Sequence, residues 1–378
     1  MSNIYKQFGI QPVINGRGNQ TLIGGSTPPK EVQDAMDQAL SSYVVMEELL
    51  RNTGEFIADT LGTESAFVTS GAAAAIALGS AAALAGDDRE KMSSIPDTSG
   101  MKNEFVFQKC QDYTYKRCFT IPGAKIVEAG GDHGCTREEL EACIGPNTAA
   151  VAYFESGTWG DSVLTIEEAR DIAHAHDLPL VVDAAGQIYP LERFQRVAQT
   201  GDIVAFGAKY FGSPHSTGIC AGNEKLVESA FQQNFIGYEI AGQQGLARPF
   251  GRPFKTDRSE IIGVAVALRR WFSINHEDRL AVEDLKRKTL ADSVKGLVGV
   301  KAEIPSEPPI GPGVQVNIRV DEELTGKSAQ QVIEEMENGD PPILLRSFDG
   351  ESISVGVQVL TEEETEIVAA RFKKIFGS

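Results

Sequence analysis

Leu178-Pro-Leu-Val-Val-Asp183-Ala-Ala and Asp202-Ile-Val-Ala-Phe-Gly-Ala-Lys209 each run apolar and then end on a charge. Short continuous apolar runs of this kind are strands buried on both faces, as in a parallel sheet covered by helices. Two such strands in one sheet bring their C-terminal ends to the same edge, so Asp183 and Lys209, twenty-six residues apart, are presented together. One carboxylate and one amine there suit pyridoxal 5′-phosphate (PLP). A lysine holds this cofactor as a Schiff base, and a carboxylate keeps its ring nitrogen protonated so that the ring can accept electrons. The pair also reads as a buried structural ion pair, or as two unrelated residues, because strands of α/β proteins often end in charged residues.

Upstream, Ala66-Phe-Val-Thr-Ser-Gly-Ala-Ala-Ala-Ala-Ile-Ala-Leu is an apolar strand, a small-residue turn and an alanine-rich helix. Ser70 and Gly71 fall at the start of that helix, where free backbone N–H groups and the helix dipole favour an anion. Gly71 lets a phosphate approach the backbone and the Ser70 hydroxyl can donate to it; the same residues also read as an ordinary capped helix. Neither Gly-x-Gly-x-x-Gly nor a Walker loop is present, so dinucleotide and nucleoside triphosphate binding lack their signatures.

The order of these parts, phosphate-type turn, Asp, then Lys, resembles the fold-type-I (aspartate aminotransferase-like) superfamily of PLP enzymes. Within it the chain is most similar to the branch containing bacterial L-seryl-tRNA(Sec) selenium transferase and D-glucosaminate-6-phosphate ammonia-lyase. The resemblance spans nearly the whole chain. Its residues are Val13-Ile-Asn-Gly-Arg-Gly-Asn-Gln-Thr, Thr69-Ser-Gly-Ala-Ala-Ala-Ala, Val181-Val-Asp-Ala-Ala, Phe206-Gly-Ala-Lys, Gly251-Arg-Pro-Phe-Lys-Thr-Asp-Arg-Ser-Glu-Ile and Pro341-Pro-Ile-Leu-Leu-Arg. It implies an α/β fold with a mostly parallel, seven-stranded-type sheet in a large domain, and a smaller α+β C-terminal domain.

The resemblance also implies roles. Lys209 carries PLP and, once displaced, acts as general base and acid over the substrate Cα. Asp183 holds the ring nitrogen, Ala185 faces the ring, and Ser70, Gly71 and Ala72 hold the phosphate. Ser156 lies near the cofactor oxygen, and Gln187 is a further residue for that place. Relatives often carry His over the outer ring face where this chain has Gln111, with Tyr113 as a possible substitute. Arg346 presents a bidentate fork to a substrate carboxylate. Arg252 and Lys255 reach a phosphate, across a dimer interface in one reading, and Arg17 in the N-terminal arm is a further substrate ligand.

The implied reaction is α-proton abstraction and β-elimination on an amino acid or aminosugar acid, phosphorylated or not, with release of ammonia and a 2-keto acid. Racemisation, epimerisation and aldol cleavage are the alternatives. Selenium transfer and a non-catalytic PLP-binding role rank below them.

Composition narrows the partners. The 378 residues carry 35 basic against 53 acidic side chains, a net charge of −18. Nucleic-acid binding needs a basic face, so the acidity counts against a tRNA-borne substrate. Five cysteines lack any Cys-x-x-Cys pair and five histidines make no zinc motif, which fits free thiols and no metal site. Met1-Ser-Asn-Ile-Tyr-Lys-Gln has neither the basic flank nor the apolar core of a signal peptide, and residues 71–86 are too short and weakly apolar to span a bilayer. The expectation is a cytoplasmic homodimer acting on a small amino-acid-like molecule, with no nucleic-acid or membrane partner.

Three segments are expected: an arm and first helix over 1–45, a PLP-binding large domain over 46–255, and a small domain over 256–378. Residues 87–102 read as a mobile polar excursion, 304–313 as a loop, and 259–288 as one long helix.

Overall fold

The computed structural model describes residues 4–157, 159–240, 248–305 and 313–377. Seven strands form the central sheet: β1 (Ser65–Thr69), β2 (Glu104–Gln108), β3 (Lys125–Ala129), β4 (Thr148–Phe154), β5 (Leu180–Asp183), β6 (Ile203–Gly207) and β7 (Gly218–Gly222). Their order is β1-β7-β6-β5-β4-β2-β3, and β7 alone runs antiparallel to its neighbours. Leu180, Val181, Val182, Ile203, Val204, Ala205 and Phe206 are essentially inaccessible to solvent. That is why these strands read as unbroken apolar runs rather than alternating ones.

Helices cover the sheet. The Ala72–Ala85 helix is buried almost all round, and its alanines let it lie close against the strands. It crosses Ile203 at Gly79, where an added Cβ would stand 2.5 Å from the Ile203 Cγ2. Ile166–Ala175 starts at a Thr165–Glu168 capping box, as Thr165-Ile-Glu-Glu predicts. His174 on this helix is exposed and meets Asp202 at 2.9 Å.

The chain divides into one unit of residues 27–272 and another of residues 1–26 with 273–378. The boundaries expected at 45/46 and 255/256 therefore move. The arm separates after residue 26, because the helices Lys30–Leu40 and Met46–Leu61 belong with the sheet. The expected 259–288 helix is two helices, Arg258–Ser273 and His276–Val294. Asn275 caps the second by accepting from the N–H groups of Glu277 and Asp278, and the unit boundary falls at this break.

The smaller unit has an antiparallel sheet of β8 (Val300–Glu303), β9 (Gln315–Val320) and β10 (Ser352–Gly356) in the order β10-β9-β8. Val316, Ile318, Ile353, Val355, Leu290 and Phe372 belong to its core. A short parallel pairing joins Ile14–Asn15 to Ile343–Leu344. Residues 87–102 are more ordered than expected. Asp88 caps a helix, Arg89–Ser94, whose Met92 is 1% exposed. Most of the loop expected over 304–313 lies outside the described residues. Among the described residues, no helix is long and apolar enough to cross a membrane.

Candidate cofactor site

The ladder registers assemble the site. Asp183, the last residue of β5, pairs with Ala205 on β6 and with Phe154 on β4. Gly218, the first residue of β7, pairs with Gly207 on one side and Thr69 on the other. One sheet edge therefore carries the turn after Thr69, the turn after Gly207 with Lys209, and Asp183.

Asp183 is 5% exposed. Its Oδ1 accepts from the Ala185 N–H at 2.9 Å and its Oδ2 from the Tyr113 hydroxyl. Burial pushes this carboxyl above the usual carboxylate range, against both hydrogen bonds. No cation pairs with it among the described residues, so the ion-pair reading with Lys209 is not what the structure shows. A buried carboxylate without a cation is a costly arrangement, and a protonated pyridine nitrogen is a group that would offset it.

Lys209 sits in the short 3₁₀ turn Ala208–Phe211, half-buried. Desolvation holds its amine below the ordinary lysine range, which enlarges the neutral, nucleophilic fraction. The turn is closed by Ala208 N–H to Thr217 O at 2.9 Å and Ser213 N–H to Ala208 O at 3.2 Å. His215, on the same loop, has a buried Nδ1 without a hydrogen-bond partner, and burial followed by the Lys209 charge lowers its pKa.

Gly71 is the N-cap of the Ala72–Ala85 helix, with φ +95° and no side-chain cap. The first N–H groups of a helix have no partner within it. A Cβ built on Gly71 meets nothing within 4 Å, so the chain is open to its surroundings at the helix start. Behind them Gly218 approaches so closely that a Cβ there would stand 2.5 Å from the Gly71 carbonyl carbon. Ser70 and Ala72 are half-buried. A buried carboxylate, a desolvated amine and an uncapped helix start at one sheet edge fit the ring nitrogen, aldehyde and phosphate of PLP.

Gln111 is 2% exposed. Its amide is occupied by the end of β4, donating to Phe154 O at 2.9 Å and accepting from Phe154 N–H at 3.2 Å. Tyr113 is 5% exposed and stacks on Phe154, centroids 4.5 Å apart, and on Phe107 at 5.9 Å. Ala185 ties Asp183 to the next strand, because its carbonyl accepts from the Gly207 N–H at 2.9 Å. Ser156 is half-buried just beyond β4.

A network not anticipated from the sequence stands beside it. Glu155, 5% exposed, pairs with Arg193 at 2.6 Å and accepts from the Gly157 N–H at 2.7 Å. Arg193 also donates to Gln187 Oε1 at 3.1 Å. The signal available in the sequence was an acidic residue one position past an apolar strand.

The remaining candidates divide between the units. Arg252 and Lys255 are exposed in the larger unit, with no ion pair among the described residues. In the smaller unit Arg17 donates through Nε to Leu345 O at 2.6 Å, next to Arg346. The Arg346 guanidinium stands 4.4 Å from the Phe348 ring centroid, and its buried Nε lacks a hydrogen-bond partner. Burial and the Arg17 charge both lower the Arg346 pKa. Neither guanidinium has a carboxylate partner among the described residues, and guanidiniums so placed suit an anion.

No protein-family model matches the chain. A D-glucosaminate-6-phosphate ammonia lyase from Salmonella typhimurium (strain 14028s / SGSC 2262) is 30% identical over 381 residues, covering 99% of this chain and 98% of the relative. A 5′-C-glycyluridine monooxygenase-decarboxylase from a Streptomyces species is 31% identical over 382 residues, covering 98% and 91%. A solved D-glucosaminate-6-phosphate ammonia-lyase superposes with a TM-score of 0.82 at 28% identity, over 100% of this chain and 99% of that one. A Thermus thermophilus aspartate aminotransferase superposes with a TM-score of 0.52 at 16% identity, over 99% and 100%, and shows the fold alone. With a relative 30% identical along its full length, the chain belongs to the fold-type-I PLP enzymes of the branch that includes D-glucosaminate-6-phosphate ammonia lyase.

Proposed function

We propose that this protein is a PLP-dependent lyase that converts a β-hydroxylated amino acid of the aminosugar-acid class into a 2-keto acid and ammonia. The observation that carries the reading is the buried Asp183 carboxylate and the desolvated Lys209 amine at one sheet edge, beside an uncapped helix start. When bound, PLP supplies an electron sink for a carbanion at the substrate Cα.

The chain's own residues do the rest. Lys209 Nζ, lowered in pKa by burial, takes the proton from Cα and returns one to the departing hydroxyl. The amino group then leaves as ammonia by hydrolysis, so the water lost at Cβ is regained at Cα. With the cofactor bound, Asp183 would stay charged against the ring nitrogen, and the N–H groups at the start of the Ala72–Ala85 helix would hold the phosphate. Ser156 and Gln187, the latter held by Arg193, are the groups for the cofactor's phenolic oxygen. Arg346 with Arg17 suits a substrate carboxylate, and Arg252 with Lys255 suits a phosphate donated between the two subunits of a homodimer.

The test is to incubate the PLP-loaded protein with D- and L-amino acids and aminosugar acids, with and without a terminal phosphate, and to quantify ammonia and 2-keto acid. Equimolar ammonia and keto acid from an aminosugar acid is expected. Loss of optical activity without keto acid, or uptake of dioxygen with carbon dioxide release, would overturn the lyase reading.

A further inference from the structure

We propose that Tyr113 is a positioning residue that acts on the cofactor through Asp183, fixing the plane of its carboxylate and moderating its hold on the ring proton; the inference rests on the PLP reading above. Three observations carry it. The Tyr113 hydroxyl donates to Asp183 Oδ2, while Oδ1 is held by the Ala185 N–H. Both carboxylate oxygens are thereby oriented, and each keeps a lone pair for a further donor. Second, the Tyr113 ring is 5% exposed and lies against Phe154 at 4.5 Å and Phe107 at 5.9 Å, with Phe119 edge-on at 6.1 Å. A ring so confined presents its hydroxyl in one direction. Third, burial and the neighbouring Asp183 charge raise the phenol pKa far above its ordinary value. The group therefore remains a donor at every working pH.

A hydrogen bond into a carboxylate lowers the basicity of that carboxylate. Without the phenol, Asp183 would be a stronger proton acceptor and less firmly oriented. The ring nitrogen would then keep its proton less completely, and the electron sink would weaken. Tyr113 touches neither substrate nor cofactor in this role, so its effect must vanish when Asp183 cannot respond.

The experiment uses the full-length protein loaded with PLP labelled with ¹⁵N in the ring. In Tyr113→Phe the ring-nitrogen resonance should move toward the unprotonated-pyridine value, and PLP affinity should fall roughly tenfold, the equivalent of one hydrogen bond to a charged group. Site-specific 3-fluorotyrosine at position 113, a stronger donor that keeps the hydroxyl, should move the resonance the opposite way. It reports even if the phenylalanine variant fails to fold. Tyr115→Phe is the control, since Tyr115 is 65% exposed and packs edge-on against Tyr113 without reaching Asp183; it should change nothing. In an Asp183→Asn background the Tyr113→Phe shift should disappear. Unchanged resonances in both position-113 variants, or an undiminished Tyr113→Phe shift in the Asp183→Asn background, would overturn the assignment. A wild-type protein that takes up no PLP overturns the cofactor reading itself, and is recognised because the failure precedes any variant.

Discussion

Replacing Asp183 by Asn separates a carboxylate that serves a cofactor from one that holds the fold together. Asp183 is buried, pairs with no cation among the described residues and accepts two hydrogen bonds, from Tyr113 and Ala185. Each bond to the charge contributes about 1.5–3 kcal/mol, against a desolvation penalty of several kcal/mol per buried ion. Burial is the largest influence on its pKa and raises it. A carboxyl raised in the folded state contributes its full stability below the unfolded pKa, and loses it as pH rises through the folded one. Holding a charge on Asp183 is therefore a burden on the unloaded protein. Asparagine keeps the shape and one acceptor and removes the charge. The Tm of the unloaded variant should match or exceed wild type by a few degrees, taking about 2–4 °C per kcal/mol for a unit of this size.

Catalysis should respond in the opposite sense. Without the negative charge the ring nitrogen loses its proton, and exchange of the substrate α-hydrogen in D₂O should slow on the order of a thousandfold, about 4 kcal/mol of barrier. PLP, attached through Lys209, should remain. Calorimetry of the unloaded proteins and NMR of α-hydrogen exchange in the loaded ones are the assays. If Asp183 were half of a structural ion pair, its removal would strand a buried charge at about 3–5 kcal/mol, and Tm would fall on the order of 10 °C. That fall, or an unchanged exchange rate, would refute the reasoning.

Borohydride reduction of the PLP-loaded protein followed by peptide mapping should place the pyridoxyl group on Lys209; a label elsewhere contradicts the site. Gly71→Ala forces a side chain into φ +95°, ψ 162°, at about 1–3 kcal/mol of backbone strain, and sets a methyl beside the proposed phosphate donors, so titration should show PLP binding weakened more than Tm is lowered. Arg193→Met strands the buried Glu155 carboxylate, which should reduce stability by about 3–5 kcal/mol at neutral pH, and Glu155→Gln in the same chain should recover much of it, as read by denaturant titration. Hybrid dimers of a Lys209→Ala chain with an Arg252→Ala/Lys255→Ala chain should regain one intact site; no recovery after verified subunit exchange would reject donation of these cations between subunits.

The larger unit was legible where chemistry and burial coincide. Val181-Val-Asp and Phe206-Gly-Ala-Lys announce strands buried on both faces that end in a charge, and the sheet edge follows from that alone. Tyr113 was legible only as an alternative for the ring face. Its bond to Asp183 joins residues 70 positions apart, and no periodicity records such a pairing. Gln111 lay where a ring-facing residue belongs, yet its amide is bound to the Phe154 backbone. The continuous helix expected over 259–288 failed because apolar spacing runs through Ile274-Asn275, and the break is made by the Asn275 side chain competing for backbone N–H groups. Residues 87–102 were read by polarity, which hides one buried methionine and one good cap.

The lone antiparallel strand β7 has a consequence for how the protein is born. It lies between β1 and β6, so the strand that leads into the Ser70-Gly71 turn meets the rest of the sheet only through residues made much later. On the ribosome β1 is complete at Thr69 and must wait, an unpaired edge, until Gly218–Gly222 has emerged. By then Asp183 and Lys209 have already been translated. The three parts of the proposed cofactor site therefore come together in one late event, once β7 is in place. Synthesis halted before β7 leaves an exposed apolar strand, which is a target for chaperones and an aggregation hazard.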